Sequence, residues 1–204
     1  MPQITKGLSI QGGGVSVQPP PVIRTVNESI GSQPSLPAGT AGTLSTRTSG
    51  TAGVVTVASH TLADNDKVDI FWSGGQCYGA NVDSHTSTTI TFSGAAGTAL
   101  PIATTAVVIT KQVAITLALA YAVLQYLAVM FGFTSQSITS KGQITFKDSG
   151  GSVLLNIALT PGQPVDYDIA GGVTNPFSAN VASAVASNGD STSAATLNII
   201  AGQN

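Results

Sequence analysis

Val113-Ala114-Ile115-Thr116-Leu117-Ala118-Leu119-Ala120-Tyr121-Ala122-Val123 opens a stretch, residues 113 to 133, that carries no charged side chain. Its length suits a membrane-spanning helix, and Ala and Leu are good helix formers. The order of the residues argues for strands instead. Larger side chains occupy every second place from Val113 to Val123, with alanine or threonine between them. A period of two belongs to a strand with a bulky face and a small face. Gln125 and two tyrosines also interrupt what a bilayer would require to be apolar. Paired strands are therefore expected here, ahead of a buried helix or a membrane span.

Residues downstream continue in the same style. Gln143 to Lys147, the turn Asp148-Ser149-Gly150-Gly151 and Ser152 to Leu159 read as a hairpin, because the turn residues tolerate positive φ. Val165 to Ile169, Val181 to Ala186 and Ala195 to Ile200 are further strand candidates, with Asn188-Gly189-Asp190 as a tight turn. Residues 111–204 thus predict a β-sandwich of seven or eight strands, jelly-roll-like or immunoglobulin-like. Upstream, residues 40–110 predict a small all-β module, a barrel or sandwich. Its strands are expected at Val54 to Val57, Val68 to Trp72, Gln76 to Val82, Thr88 to Phe92 and Ala106 to Thr110. Its expected core is Val55, Val57, Val68, Ile70, Trp72, Tyr78, Ile90, Phe92 and Val108. The similar strings Ala38-Gly39-Thr40-Ala41-Gly42, Ser49-Gly50-Thr51-Ala52-Gly53 and Ser93-Gly94-Ala95-Ala96-Gly97 are irregularly spaced and read as turns.

Residues 1–39 predict an extended N-terminal arm, punctuated by Gly12-Gly13-Gly14 and Pro19-Pro20-Pro21. Leu8-Ser9-Ile10 and Val15-Ser16-Val17 alternate as an added strand would. Leu8, Ile10, Val15, Val17, Val22 and Ile23 are the candidate partner-binding residues of this arm. The N-terminus shows no secretory signal and the C-terminus no prenylation signal, so a product made and kept in a cytosol is expected.

Charged residues make up 8% of the 204, against roughly 25% in an ordinary soluble domain. The net charge of −2 offers no basic field for nucleic acid. The single cysteine, Cys77, rules out an internal disulfide framework and reads as a half-buried small apolar residue. Candidate chemistry is thin. His60 and His85 sit beside serines with no G-x-S-x-G elbow, and Asp83 with His85 at i, i+2 reads as cross-strand polar pairing. Asp64, Asn65, Asp66 and Asp69 bring oxygen ligands together as a calcium loop would, but Gly75 stands where a twelfth-position glutamate is needed. An Asx-rich turn fits them better. Asp166 and Asp168 share a strand face, yet nothing nearby suggests a sugar cleft. Gly12-Gly13-Gly14 lacks the Gly-Lys-Ser/Thr of a phosphate loop. No catalytic constellation, cofactor site or metal site is expected.

Serine, threonine and small residues must therefore cover most of the outside, where few charges need desolvation on contact. Such surfaces suit packing against identical or neighbouring subunits. The run Asn65-Asp66-Lys67-Val68-Asp69-Ile70-Phe71-Trp72-Ser73-Gly74-Gly75-Gln76-Cys77-Tyr78-Gly79 resembles small β modules of tailed-bacteriophage virion proteins. Leu159-Thr160-Pro161-Gly162-Gln163-Pro164 and Gly171-Gly172-Val173-Thr174-Asn175-Pro176 are similar in character. The resemblance implies a non-enzymatic virion structural protein, a capsid decoration (cement) protein or one of the neck or tail. It further implies assembly in a host cytoplasm, with the major capsid protein or other virion proteins as partners, together with self-association and neither nucleic acid nor membrane. A receptor-binding or adhesion module, with aromatic side chains stacking on sugars, is the alternative expectation.

Overall fold

The structure is a computed structural model. It describes residues 10–11, 14–15, 28–32, 35–115, 126–133, 141–160, 165–168 and 183–202, with side chains described in 35–115, 141–160 and 183–197. Every regular element among the described residues is a strand. None of them is a helix long and apolar enough to cross a membrane.

The strands are β1 (Ile10–Gln11), β2 (Gly14–Val15), β3 (Glu28–Ser32), β4 (Thr40–Arg47), β5 (Gly53–Val57), β6 (Lys67–Trp72), β7 (Gly75–His85), β8 (Thr89–Ser93) and β9 (Ala96–Gly97). They continue with β10 (Ala106–Lys111), β11 (Val113–Ile115), β12 (Tyr126–Phe133), β13 (Gly142–Lys147), β14 (Val153–Leu159), β15 (Val165–Asp168), β16 (Ser183–Asn188) and β17 (Ala195–Gly202). All pairings are antiparallel.

Six strands close on themselves in the order β6-β10-β4-β5-β8-β7, with β7 pairing back to β6 and β9 appended to β7. Closure removes the exposed backbone edges that an open sheet of this size would leave. Alternating side chains fill the interior, Leu44, Val55, Val68, Ile70, Ile90 and Phe92 among them, each at most 1% exposed. Seven of the nine expected core residues lie there. Tyr78 and Val108 do not: both are half-buried, and Cys77, Ala80, Val107 and Ile109 point inward instead. On β7 the reason is a bulge. Val68 pairs with Ala80 and Ile70 with Cys77, so one residue of β6 opposes two of β7, with Gly79 at φ 69 absorbing the kink. On β10, Val107, Val108 and Ile109 are all aliphatic, and only the register tells which two face in.

The strings read as turns also need correction. Thr40 to Gly42 lie within β4, a wall strand of the barrel, and Ala96-Gly97 form β9. β4 buries one residue fully, Leu44, and turns Ser and Thr outward, so its apolar alternation is faint. The hairpin at Asp148 stands as expected. Asp148 Oδ1 accepts from the N–H groups of Gly150 (2.9 Å) and Ser152 (2.8 Å), joining β13 to β14.

The remaining large sheets have four strands each, in the orders β11-β16-β13-β14 and β15-β12-β17-β3. β3, within the stretch read as an arm, pairs with β17, and Leu36 bridges to Ala195. The barrel strands are therefore inserted in the chain between β3 and β11. Within the long uncharged stretch, residues 113–115 and 126–133 are strands; residues 116–125 lie outside the described residues. β13 is buried on both faces, Ile144 and Phe146 on one, Gln143 and Thr145 on the other.

Candidate functional site

β6 is where the barrel meets the β11-β16-β13-β14 sheet. Its inward residues enter the barrel core, yet outward-facing Asp69 and Phe71 are buried as well. Phe71 lies over the turn after β16. A Cβ on Gly189 would sit 2.6 Å from Phe71 Cγ and 3.0 Å from the Lys141 carbonyl oxygen, so only glycine permits this approach.

Around that apolar contact the seam carries a set of polar bonds. Asp69, 1% exposed, accepts from the Gly79 N–H (2.8 Å) and the Gln112 amide (2.8 Å) at Oδ1, and from the Ser187 hydroxyl at Oδ2. Burial pushes its carboxyl above the ordinary value of 3.8; the bonds from Ser187, Gly79 and Gln112, and the charge of Lys147, pull the other way without cancelling it. Thr110 Oγ1 donates to the Asn188 carbonyl (2.6 Å). The Gln76 amide donates to Gln143, which in turn donates to Asn156. Lys141 Nζ donates to the carbonyls of Trp72 (3.0 Å) and Ser73 (3.3 Å), and the Gly39 N–H to that of Asp190 (2.8 Å). Such a network fixes one orientation of barrel on sheet, because displacing it would strand buried donors and acceptors.

A cleft of about 320 Å³ opens beside the seam, lined by Ala41, Phe71, Trp72, Val108, Gly189 and Ser191 among others. Its lining carries hydroxyls and apolar groups and no carboxylate, imidazole, thiol or amine. It offers shape and hydrogen bonds, with no group of suitable pKa to move a proton.

The residues singled out from sequence go to separate places. His85 Nδ1 lies 2.7 Å from Asp64 Oδ1, and its ring meets that of His60 edge-on at 5.6 Å between centroids. His60 Nδ1 accepts from the Leu62 N–H (3.1 Å) while Nε2 lies 2.6 Å from the Thr86 carbonyl, a pattern that suits the neutral tautomer protonated at Nε2. Asp83 is not part of this group; it accepts from the Asn81 amide at 3.2 Å. The acidic loop is a tight β-turn in which the Asp66 N–H donates to the Ala63 carbonyl (3.1 Å), while Asn65 adopts φ 70 and donates its N–H to the Val82 carbonyl. Asp66 Oδ1 lies 2.5 Å from Lys111 Nζ and Asp66 Oδ2 accepts from the Ala63 N–H. Partial burial opposes its ionisation, but the bonds from Lys111 and Ala63, with the charges of Lys111 and His85, hold it below the ordinary value. Asp64, Asp66 and Asp69 thus turn to three different partners, and no group of three metal-ligating side chains occurs among the described residues.

Cys77 is fully rather than half buried, 1% exposed in the barrel core. Burial first, and the Asp69 charge second, push its thiol up to about 12. Asp166 and Asp168 sit on β15 opposite Ala128 and Tyr126 of β12. Of the arm residues, Ile10 and Val15 pair with each other in the β1–β2 hairpin, while Leu8, Val17, Val22 and Ile23 lie outside the described residues. Sequence reasoning missed the seam itself. Its signal was weak: polar residues at outward strand positions of otherwise apolar runs, as at Asp69 between Val68 and Ile70.

Comparison with known proteins leaves the chain alone: no protein-family model, no curated protein and no solved structure matches it.

Proposed function

We propose that this chain is a non-enzymatic structural protein of a virion, of the tailed-bacteriophage kind, which binds the outside of a capsid and reinforces it through contacts between subunits. The strand order carries the reading. Taken from β3 onward with the barrel set aside, the eight strands β3, β11, β12, β13, β14, β15, β16 and β17 fall into two sheets. The first, third, sixth and eighth of these strands form one sheet, ordered β15-β12-β17-β3, and correspond in this reading to strands B, D, G and I of a jelly roll, lying side by side as G-D-I-B. The other sheet, β11-β16-β13-β14, corresponds to C, H, E and F. The buried apolar face of β13, Ile144 and Phe146, supports stacking of the two sheets as a sandwich. Jelly rolls serve in viral capsid domains and in lectins.

Surface chemistry favours the first of these two uses. An 8% charged composition favours protein contacts. A sugar site needs exposed aromatic rings; among the described aromatic side chains Phe71, Trp72, Phe92 and Phe146 are buried and Tyr78 is half-buried. The cleft lined without titratable groups supports a non-enzymatic role. In this reading the N-terminal residues Leu8, Ile10, Val15, Val17, Val22 and Ile23 supply an arm to the major capsid protein or another virion partner. The test is reconstitution: particles stripped of the protein and heated with or without it added back. A rise in the temperature of genome release on re-addition is expected. An unchanged temperature, or binding to a glycan array without binding to particles, refutes the reading.

A further inference from the structure

Buried seams between packed units are usually apolar, and here the buried contact at the barrel's seam is mostly hydrogen-bonded. The barrel joins the rest of the chain only through the segments flanking β4 and β10, and Gln112 is the single residue between β10 and β11. Its hold on the β16–β13 face therefore depends on the seam: Asp69 with Ser187, Thr110 with Asn188, Gln76 with Gln143, Lys141 with two carbonyls, and Phe71 over Gly189. We propose that this seam is an acid-tightened latch, in which Asp69 grips β16 most firmly when its carboxyl is neutral and loosens the barrel when it ionises.

Geometry allows both states. As a carboxylate, Asp69 accepts from all three donors. Once protonated, it keeps the Gly79 and Gln112 bonds at Oδ1 and donates from Oδ2 to Ser187 Oγ, whose lone pairs are free to accept. Asp69 keeps three partners in both states, while on protonation the Ser187 hydroxyl proton gives up Asp69 as its acceptor; set against this is the cost of holding a charge away from water in the ionised state. Three neighbours bear on that cost. Lys147 of β13 favours the anion, and the Cys77 thiol behind Asp69 is held neutral by its own burial. On the far side of Asn188, the buried Asp190 is engaged with Thr192 and Ser193. Burial outweighs the favourable contacts and raises the Asp69 carboxyl above its ordinary value. The sign follows. A carboxyl that is harder to ionise in the folded protein contributes its full stabilisation below 3.8, and loses it as pH climbs from there through the raised folded value.

Trp72, the only tryptophan, lines the cleft beside Phe71 and Gly189 and so reports on the seam. The experiment follows acrylamide quenching of its fluorescence in the full chain, from acid to neutral pH. Wild type is expected to show one upward step in quenching above the ordinary carboxylate range. Asp69→Asn, which mimics the neutral acid, should stay at the low, acid-limit level throughout. Ser187→Ala removes a donor to the anion and should move the step to higher pH. A flat wild-type profile, or the same step persisting in Asp69→Asn, overturns the latch. Should Asp69→Asn fail to fold, Ser187→Ala decides: a midpoint unmoved or lowered overturns it, and a raised one supports it.

Discussion

Replacing Gly189 by alanine tests the contact on which barrel and sheet rest. The added methyl carbon would lie 2.6 Å from Phe71 Cγ and 2.8 Å from Cδ1, with the Lys141 carbonyl oxygen at 3.0 Å. Comfortable carbon–carbon contact is about 3.5–4.0 Å, so the overlap is about 1 Å. Neither neighbour yields easily. Phe71 is 2% exposed and fixed within β6 between Gln76 and Val108, and the Gly189 N–H is committed to Lys141 at 2.8 Å. Overpacking of this kind costs about 1–3 kcal/mol, a large share of the roughly 5–15 kcal/mol that holds a domain folded. Phe71→Ala alone should cost about 3–5 kcal/mol by leaving a cavity. The double variant should cost less than the sum, by about 0.5–3 kcal/mol, because the methyl then has room. Equilibrium urea unfolding of all four proteins measures the cycle. Gly189→Ala indistinguishable from wild type, or strictly additive costs, would refute the packing of ring on glycine.

Three further outcomes follow from particular residues and strands. Because the Cys77 thiol is pushed up to about 12 from 9.0, a thiol reagent should label the denatured chain and leave the native one untouched at neutral pH. The unfolded thiol also ionises first as pH rises past 9.0, so alkaline stability should fall in wild type and fall less in Cys77→Ala; rapid labelling of native protein would contradict this. Removing residues 1–27 spares β3, whereas removing 1–35 deletes a strand paired with β17. Calorimetry should show little change in melting temperature for the first truncation and a clear drop for the second. Equal melting temperatures would mean that β3 adds nothing to the sheet.

Much of the fold could be read from spacing. Val54 to Val57 alternates in burial because one side of the strand fills the barrel, and Asp148 declares its turn through a side-chain acceptor close in sequence. What stayed hidden depends on partners far along the chain. β4 presents one fully buried side chain, so its wall position emerges only from pairing with β5 and β10. Tyr78 and Val108 look like core residues until a bulge and a register assign their faces. Asp69 looked like one acid of a surface loop, while its partner Ser187 stands 118 residues away. Side chains buried on both faces of a strand leave no polar alternation to read, and β6 and β13 are both of that type.

Thr40, at the entry to the barrel, lies directly opposite Ile109, near its exit. Neighbouring strands are roughly 5 Å apart, so the inserted barrel begins and ends at almost the same point in space. Among the described residues the host sheets exchange no ladder hydrogen bonds with it, so their strand order does not depend on the barrel. A lineage could thus trade this cassette for another, longer or shorter, without rebuilding the sheets that carry it.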